Sequence, residues 1–142
     1  MHTLIIDSNI LISALIKKGP TRKILINFNR NFLFPEQGLE EIYFYKSEII
    51  RKAKINEKEF DVLLLRLLKY IKLIPMDIFI NFKDEADKIM GHIDKKDTIF
   101  VAVALALNCS IWSDDRHFKK QKRIEIFTTK DIFEMYTNKN ED

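Results

Sequence analysis

The chain has 142 residues, 46% of them hydrophobic and 32% charged, a composition that excludes disorder and fits one domain. Lys and Arg exceed Asp and Glu by 24 − 21 = +3, too mild a bias to argue by itself for nucleic acid or a membrane surface. A lone cysteine, Cys109, excludes an internal disulfide, and the longest apolar run, Ile99 to Leu107, is about half of a bilayer span.

In chain order, Leu4-Ile5-Ile6 closed by Asp7 reads as a short buried strand. A helix capped by Ser8 or Asn9 follows, carries Ile10, Leu11, Ala14 and Leu15, and stops before Gly19-Pro20. Thr21 to Phe28 is a second helix, and Phe32-Leu33-Phe34 a second strand, with Pro35 placed for the first turn of the next helix. That helix carries Leu39, Ile42, Tyr43, Ile49 and Ile50 to about Lys54. Asn56 caps another, with apolar spacings of three and four from Phe60 to Ile71. Leu73-Ile74 is a short strand, and Ala86, Ile89 and Met90 mark a further helix. Thr98 to Asn108 is apolar on every side, and its length and alanines favour a buried helix. Ile111-Trp112 and Ile124 to Phe127 are strands, and Thr128 or Thr129 caps a last helix through Ile132, Phe133 and Met135. Strands alternating with helices imply a parallel sheet covered on both faces, an α/β fold. One domain over residues 1–136 is expected, with a polar tail at 137–142.

The N-terminal apolar stretch has no basic segment before it, so no signal peptide and a cytoplasmic location are expected. Three scattered glycines form no phosphate-cradling loop, and three scattered histidines with one cysteine make no zinc spacing.

In a parallel sheet the working crevice lies beyond the carboxyl ends of the strands. Asp7 falls there, as does the pair Asp114-Asp115, while Asp94 and Asp97 stand at the head of the apolar helix. Each has an ordinary explanation: Asp97 as a helix cap, Asp7 as a turn residue, Asp114-Asp115 as a solvated loop. Convergence at one end of one sheet has a stronger consequence. Two carboxylates about 4 Å apart repel by about 4 kcal/mol at an effective dielectric near 20, so a pocket of them calls for a cation or for protons. Oxygen ligands without His or Cys suit Mg²⁺ or Mn²⁺, which activate water and stabilise displacement at phosphorus. Beside such a pocket the basic residues gain meaning. Arg116 to Arg123 carries five permanent positive charges and no acid, and Lys17, Lys18, Arg22 and Lys23 bracket Gly19-Pro20; either group is a solvated face or an approach for a polyanion. From the first run, Arg116, Lys119, Lys120 and Arg123 are the expected phosphate contacts, with Lys17 and Lys18 from the second. Phe118 is either a base-stacking ring or a core anchor.

These residues resemble a known family. Asp7-Ser8-Asn9 after an N-terminal strand looks like the opening Asp-x-Asn of PIN-domain nucleases, Asp97 before the Ala-rich helix like their third motif, and Ser113-Asp114-Asp115 like the closing (Thr/Ser)-x-Asp. The resemblance spans roughly residues 4–133 and is strongest to small prokaryotic members, VapC-type toxins among them. It implies a doubly wound sheet, an acidic pocket for Mg²⁺ or Mn²⁺, hydrolysis of RNA phosphodiesters, frequently a homodimer, and for the toxins an antitoxin partner. The remaining family acid is a glutamate after the second strand; the register places it at Glu41, while the apolar spacing leaves Glu40 open. By this resemblance Asp7, Glu41, Asp97 and Asp115 hold the metal and carry catalysis, and Asn9, Ser113 and Asp94 position them; Asp94 could equally serve as a cap. The rival reading is a PIN-like module that binds RNA or protein without turnover. A Mg²⁺-dependent receiver or phosphatase is more distant, since a phosphatase would have Asp-x-Asp at the first strand and this chain has Asp7-Ser8-Asn9.

Overall fold

The structure is a computed structural model that describes residues 3–141. β1 (Thr3–Ile6) leads through α1 (Ser8–Ile16) and α2 (Pro20–Asn27) to β2 (Asn31–Pro35). Next, α3 (Leu39–Phe44), α4 (Lys46–Ala53) and α5 (Glu57–Leu68) precede β3 (Ile71–Ile74). From there α6 (Met76–Phe79), α7 (Lys83–Ala86) and α8 (Thr98–Leu107), with 3-10 and π turns between them, lead to β4 (Ser110–Trp112). β5 (Ile126–Phe127) and α9 (Thr129–Glu141) follow. The five strands pair in parallel in the order β3-β2-β1-β4-β5.

That order dictates where the helices lie. The chain steps outward from β1 to β3, then crosses back to β4 on the other side of β1. Right-handed crossovers in opposite directions put their helices on opposite faces. Accordingly α1 packs with α2, α4 and α5, and α2 with α9, whereas α8 lies against β1, β2 and β4 with α6 and α7 beside it. β1 is sandwiched: Leu4, Ile5 and Ile6 are fully buried, and α8 contributes Phe100 through Ala104 to the same core. Among the described residues, no helix is long and apolar enough to cross a membrane.

Several elements differ from their sequence reading. The cap of α1 is Asp7, not Ser8 or Asn9: its Oδ1 accepts from the Ile10 amide at 3.0 Å. Pro35 both ends β2 and stands before the 3-10 turn Glu36–Gly38 that leads into α3; the ladder to β1 stops at Leu33, so the missing amide hydrogen leaves no gap there. The single helix expected up to Lys54 is two, broken at Tyr45, and Lys54 closes the second in the left-handed conformation. The next helix ends at Leu68, and Ile71 opens β3 instead of extending it. The expected helix around Ala86–Met90 is a string of short α, 3-10 and π turns. The last strand is confined to Ile126–Phe127. α9 runs on through the expected polar tail as far as Glu141, and Asp142 lies outside the described residues. Two caps match the reading: Asn56 and Glu59 form a reciprocal capping box on α5, and Thr128 exchanges hydrogen bonds with Asp131 at the start of α9.

The turn into α3 depends on close approach. A Cβ on Gly38 would meet the ring of Phe34 at 2.7 and 2.9 Å, and Phe34 is fully buried and cannot yield cheaply. Gly38→Ala should therefore destabilise the protein by about 1–3 kcal/mol, the usual cost of overpacking a core, measured as the shift in denaturant midpoint at unchanged m-value. A midpoint equal to wild type would mean that the turn is loosely packed.

Candidate active site

The register between the two central strands sets the site. Ile6 stands opposite Trp112, so the next residues, Asp7 and Ser113, emerge side by side where the helices of the two faces diverge. The Asp7 amide donates to the Trp112 carbonyl at 3.3 Å, and the Ser113 amide to that of Phe127 at 2.9 Å. The Ser113 hydroxyl donates to Asp7 Oδ2 in a short hydrogen bond and accepts from the Asp115 amide at 3.0 Å. Asp7 is only 3% exposed with both oxygens engaged. Burial, with the charges of Asp115 and Asp114 adding to it, pushes its carboxyl up to about 6 against the hydrogen bonds that favour the anion.

The two acids after β4 have separate tasks. Asp114 turns to α9, accepting from the Thr129 amide at 2.7 Å and the Thr129 hydroxyl at 2.6 Å, while Trp112 Nε1 donates to that same hydroxyl at 3.0 Å. Asp115 caps the following 3-10 turn through the His117 amide at 2.9 Å and lies in the crevice. Around it, ligand atoms of Asp94, Asp97, Asp115 and His117 all fall within 4.8 Å of one another. Asp94 Oδ2 is 3.0 Å and Asp115 Oδ1 3.6 Å from His117 Nδ1, and Asp94 Oδ1 accepts from the Lys96 amide at 3.0 Å. Partial burial would raise Asp94, but the His117 ring and the Lys96 amide outweigh it and hold its carboxyl below the usual range.

Asp97 is the decisive group. It stands at the N-terminus of α8, yet its side chain makes no capping hydrogen bond, and its Oδ2 is buried without a partner. Burial, then the charges of Asp94, Asp115 and Asp7, push its carboxyl up to about 8. A cap would have been satisfied by the helix amides; this oxygen is crowded by the Asp94 and Asp115 carboxylates instead, which calls either for a proton shared with them or for a cation.

A cavity of about 310 Å³ joins these residues, lined by Asn9, Glu41, Asp94, Lys96, Asp97 and Asp115, with the Glu48–Lys52 pair at its wall. Glu41, on α3, is half-buried there, whereas Glu40 is exposed and lines only a larger neighbouring cavity. Asn9 is exposed, and among the described residues no hydrogen bond joins it to a carboxylate.

The sequence matches the PIN domain over residues 5–134. This chain belongs to the PIN-domain family. No curated protein matches it. The close-set ligand atoms of Asp94, Asp97, Asp115 and His117 in this PIN domain could hold a metal ion.

Two members of the cluster were not legible as such. Asp94 read as a positioning acid or a cap; it does cap the turn at Lys95–Asp97, and it also stands among the clustered ligands. In the sequence His117 is one of three scattered histidines and a member of the basic run; the structure adds this imidazole, held against two carboxylates, to the expected set of oxygen ligands. The Asp-x-His spacing after Asp115 is the one signal that could have found it. Phe118 is fully buried edge-on against Phe100, so it is the core anchor and not a stacking ring. In the basic run Lys119 and Lys120 are exposed, as is Arg116, while Arg123 pairs with Glu85 at 2.7 Å. Lys17 and Lys18 are exposed at the far end of α1, outside the acidic cavity; Arg22 instead binds the Ala14 and Leu15 carbonyls that end that helix.

Because the folded protein holds protons on Asp7 and Asp97 that the unfolded chain releases near 3.8, stability without metal should fall as pH rises from about 4 towards 8. In chelator, Asp97→Asn should flatten that fall and melt several degrees above wild type near pH 8. Added Mn²⁺ should raise the wild-type melting temperature more than that of the variant. Thermal melts across pH, with chelator and with Mn²⁺, measure both; a variant less stable than wild type at high pH in chelator would make Asp97 a structural acceptor.

Proposed function

We propose that this protein is a Mg²⁺- or Mn²⁺-dependent ribonuclease that hydrolyses RNA phosphodiester bonds at the acidic pocket. The observation that carries the reading is the unpartnered, buried Oδ2 of Asp97 among Asp94, Asp115 and His117. Asp97, Asp115 and Glu41, with Asp7 behind them, are the residues that would hold the cation directly or through water. A bound divalent ion of this class supplies a nucleophilic water and neutralises charge developing at phosphorus. With Nδ1 already turned to Asp94 and Asp115, His117 positions carboxylates, which leaves a predominantly oxygen donor set suited to Mg²⁺ or Mn²⁺ over zinc.

The chain's own groups have definite tasks in this reading. Ser113 and the Ile10 amide fix Asp7 in one orientation. Asp97, pushed up to about 8, holds a proton at neutral pH, and a bound cation would favour its anion. Asp114, committed to Thr129, ties β4 to α9 and takes no part in the chemistry. Lys96 on the cavity wall, with Arg116, Lys119, Lys120 and Arg123 following Asp115, draws the phosphate backbone in. The homodimer, the toxin role and the antitoxin partner implied by resemblance to the small prokaryotic members belong to the same proposal, as does a cytoplasmic location.

Cleavage of a mixed RNA panel should require Mg²⁺ or Mn²⁺ and vanish with chelator. Asp7→Asn, Asp97→Asn and Asp115→Asn should each reduce it to background while keeping the wild-type circular dichroism spectrum. Glu41→Gln should lower the rate at least about tenfold, in the range for loss of a metal-site group, and Glu40→Gln should leave it within about twofold. RNA binding without metal-dependent turnover would favour the non-catalytic module. Equal effects at Glu40 and Glu41 would break the assignment of Glu41.

Lys119→Glu combined with Lys120→Glu should weaken RNA binding and make the plot of log affinity against log salt shallower by about 2, since two phosphate contacts no longer release counterions. Titrations at several salt concentrations read this directly, and an unchanged slope returns the run to a solvated face.

A further inference from the structure

Beside the acidic cavity lies a second one, about 530 Å³ in volume, which the chemistry above does not use. The two are continuous in their walls: Glu41, Tyr45 and Lys96 line both. The second is largely apolar, with Phe44, Tyr45, Met76, Phe79 and Ile80 along it. Phe44, at the end of α3, is 79% exposed and stands edge-on to Tyr45 at 5.0 Å between ring centroids. Opposite in character, Thr98 lines the same cavity while 4% exposed, and its hydroxyl is buried with no hydrogen-bond partner. An apolar cleft of this size with a presented aromatic ring and one unsatisfied polar group is the make-up of a small-molecule or base site.

We propose that this cavity is a nucleobase subsite for single-stranded RNA. A base flanking the phosphate at the acidic pocket enters it, stacks on Phe44 at the mouth and meets the Thr98 hydroxyl with its polar edge. The inference rests on the nuclease reading for the identity of the strand. Three observations favour this occupant over a second copy of the chain or a partner helix. The cavity shares walls with the acidic pocket, so a strand bound at one passes the other. Lys95 and Lys96 line it next to Asp94 and Asp97 in the chain, and neither forms an ion pair among the described residues. The acids Glu40, Glu41 and Asp87 and the lysine Lys83 line it as well, so its charges balance and the stacking and hydrogen-bonding groups carry the recognition. Thr98 asks for a ligand with hydrogen-bonding groups, which a base edge has and an apolar helix face lacks. Bases splayed from a single strand are read in this way, by aromatic stacking and hydrogen bonds to their edges; a paired base stays in its duplex stack and cannot enter.

The test is equilibrium binding of short labelled oligoribonucleotides by fluorescence anisotropy with chelator present, so that no cleavage occurs. Phe44→Ala should weaken single-strand binding by about tenfold, within the range for loss of one base–aromatic stack. Phe44→Trp should restore it, and Thr98→Val should alter the ranking of homopolymers. An oligomer lacking bases should bind wild type and Phe44→Ala alike. The proposal is overturned if Phe44→Ala binds like wild type, if the abasic oligomer loses as much affinity as the base-bearing one, or if wild type binds no single strand. It is also overturned if sedimentation shows Phe44→Ala splitting a dimer with RNA affinity unchanged, because the face then joins two copies. Cleavage with Mn²⁺, measured in parallel, separates the two readings. A wild type that binds with the expected Phe44 dependence but never cleaves supports the subsite and counts against the nuclease.

Discussion

Ile6 and Trp112 are neighbours in the parallel ladder between the first and fourth strands, and the site depends on that pairing. A slip of one residue would turn every side chain of β1 to the other face. It would bury the wrong atoms between α1 and α8 and part Asp7 from Ser113. The pairing is well enforced, because β1 is covered on both faces by the helices that reversed crossovers place there. The reversal that buries β1 is also what opens the crevice at its carboxyl end. Core and site thus share one cause.

Into that crevice the chain brings acids at a cost in stability. Asp7 is buried and raised, Asp97 is raised further by its neighbours, and one of its oxygens has no partner. Asp7 has structural work as the cap of α1 and the partner of Ser113, but capping does not account for Asp97; carboxylates raised by burial and like charge in a cleft are the pattern of a candidate functional site. The contrast between Asp114 and Asp115 makes the point within two residues. Asp114 is satisfied by Thr129 and helps hold α9 to the sheet. Asp115, one residue on, joins Asp94, Asp97 and His117.

The break at Tyr45 has consequences for both cavities. A continuous helix from Leu39 to Lys54 would place Glu41 and Glu48 along one rod. The interruption gives α3 and α4 separate axes; Glu41, Glu48 and Lys52 border the acidic cavity, while Phe44, the last residue of α3, stands out on the apolar one. Tyr45 itself lines both. Gly38, pressed against Phe34, sets where α3 begins and hence where its glutamates lie.

How much of this was legible in the sequence follows from how local each cause is. The buried strand before Asp7, the apolar helix after Asp97, the Asn56 cap and the α/β alternation depend on hydrophobic period and capping chemistry, which a sequence displays directly. So did the placement of Asp7 and Asp115 at strand ends, and the resemblance to PIN domains that residues 5–134 bear out. The break at Tyr45 and the short turns between Met76 and Gly91 were not legible, because tertiary packing overrides a periodic pattern there, and the cap of α1 was open among Asp7, Ser8 and Asn9 because three capping-competent residues follow one another. Nor could local pattern bring His117 to Asp94, 23 residues away, or turn Asp114 towards Thr129 while Asp115 faces the crevice. Those outcomes rest on contacts between elements distant in sequence. The residue types that chemistry requires were present in the linear order; which of them meet was decided only when the crossover reversed and the strand ends came together.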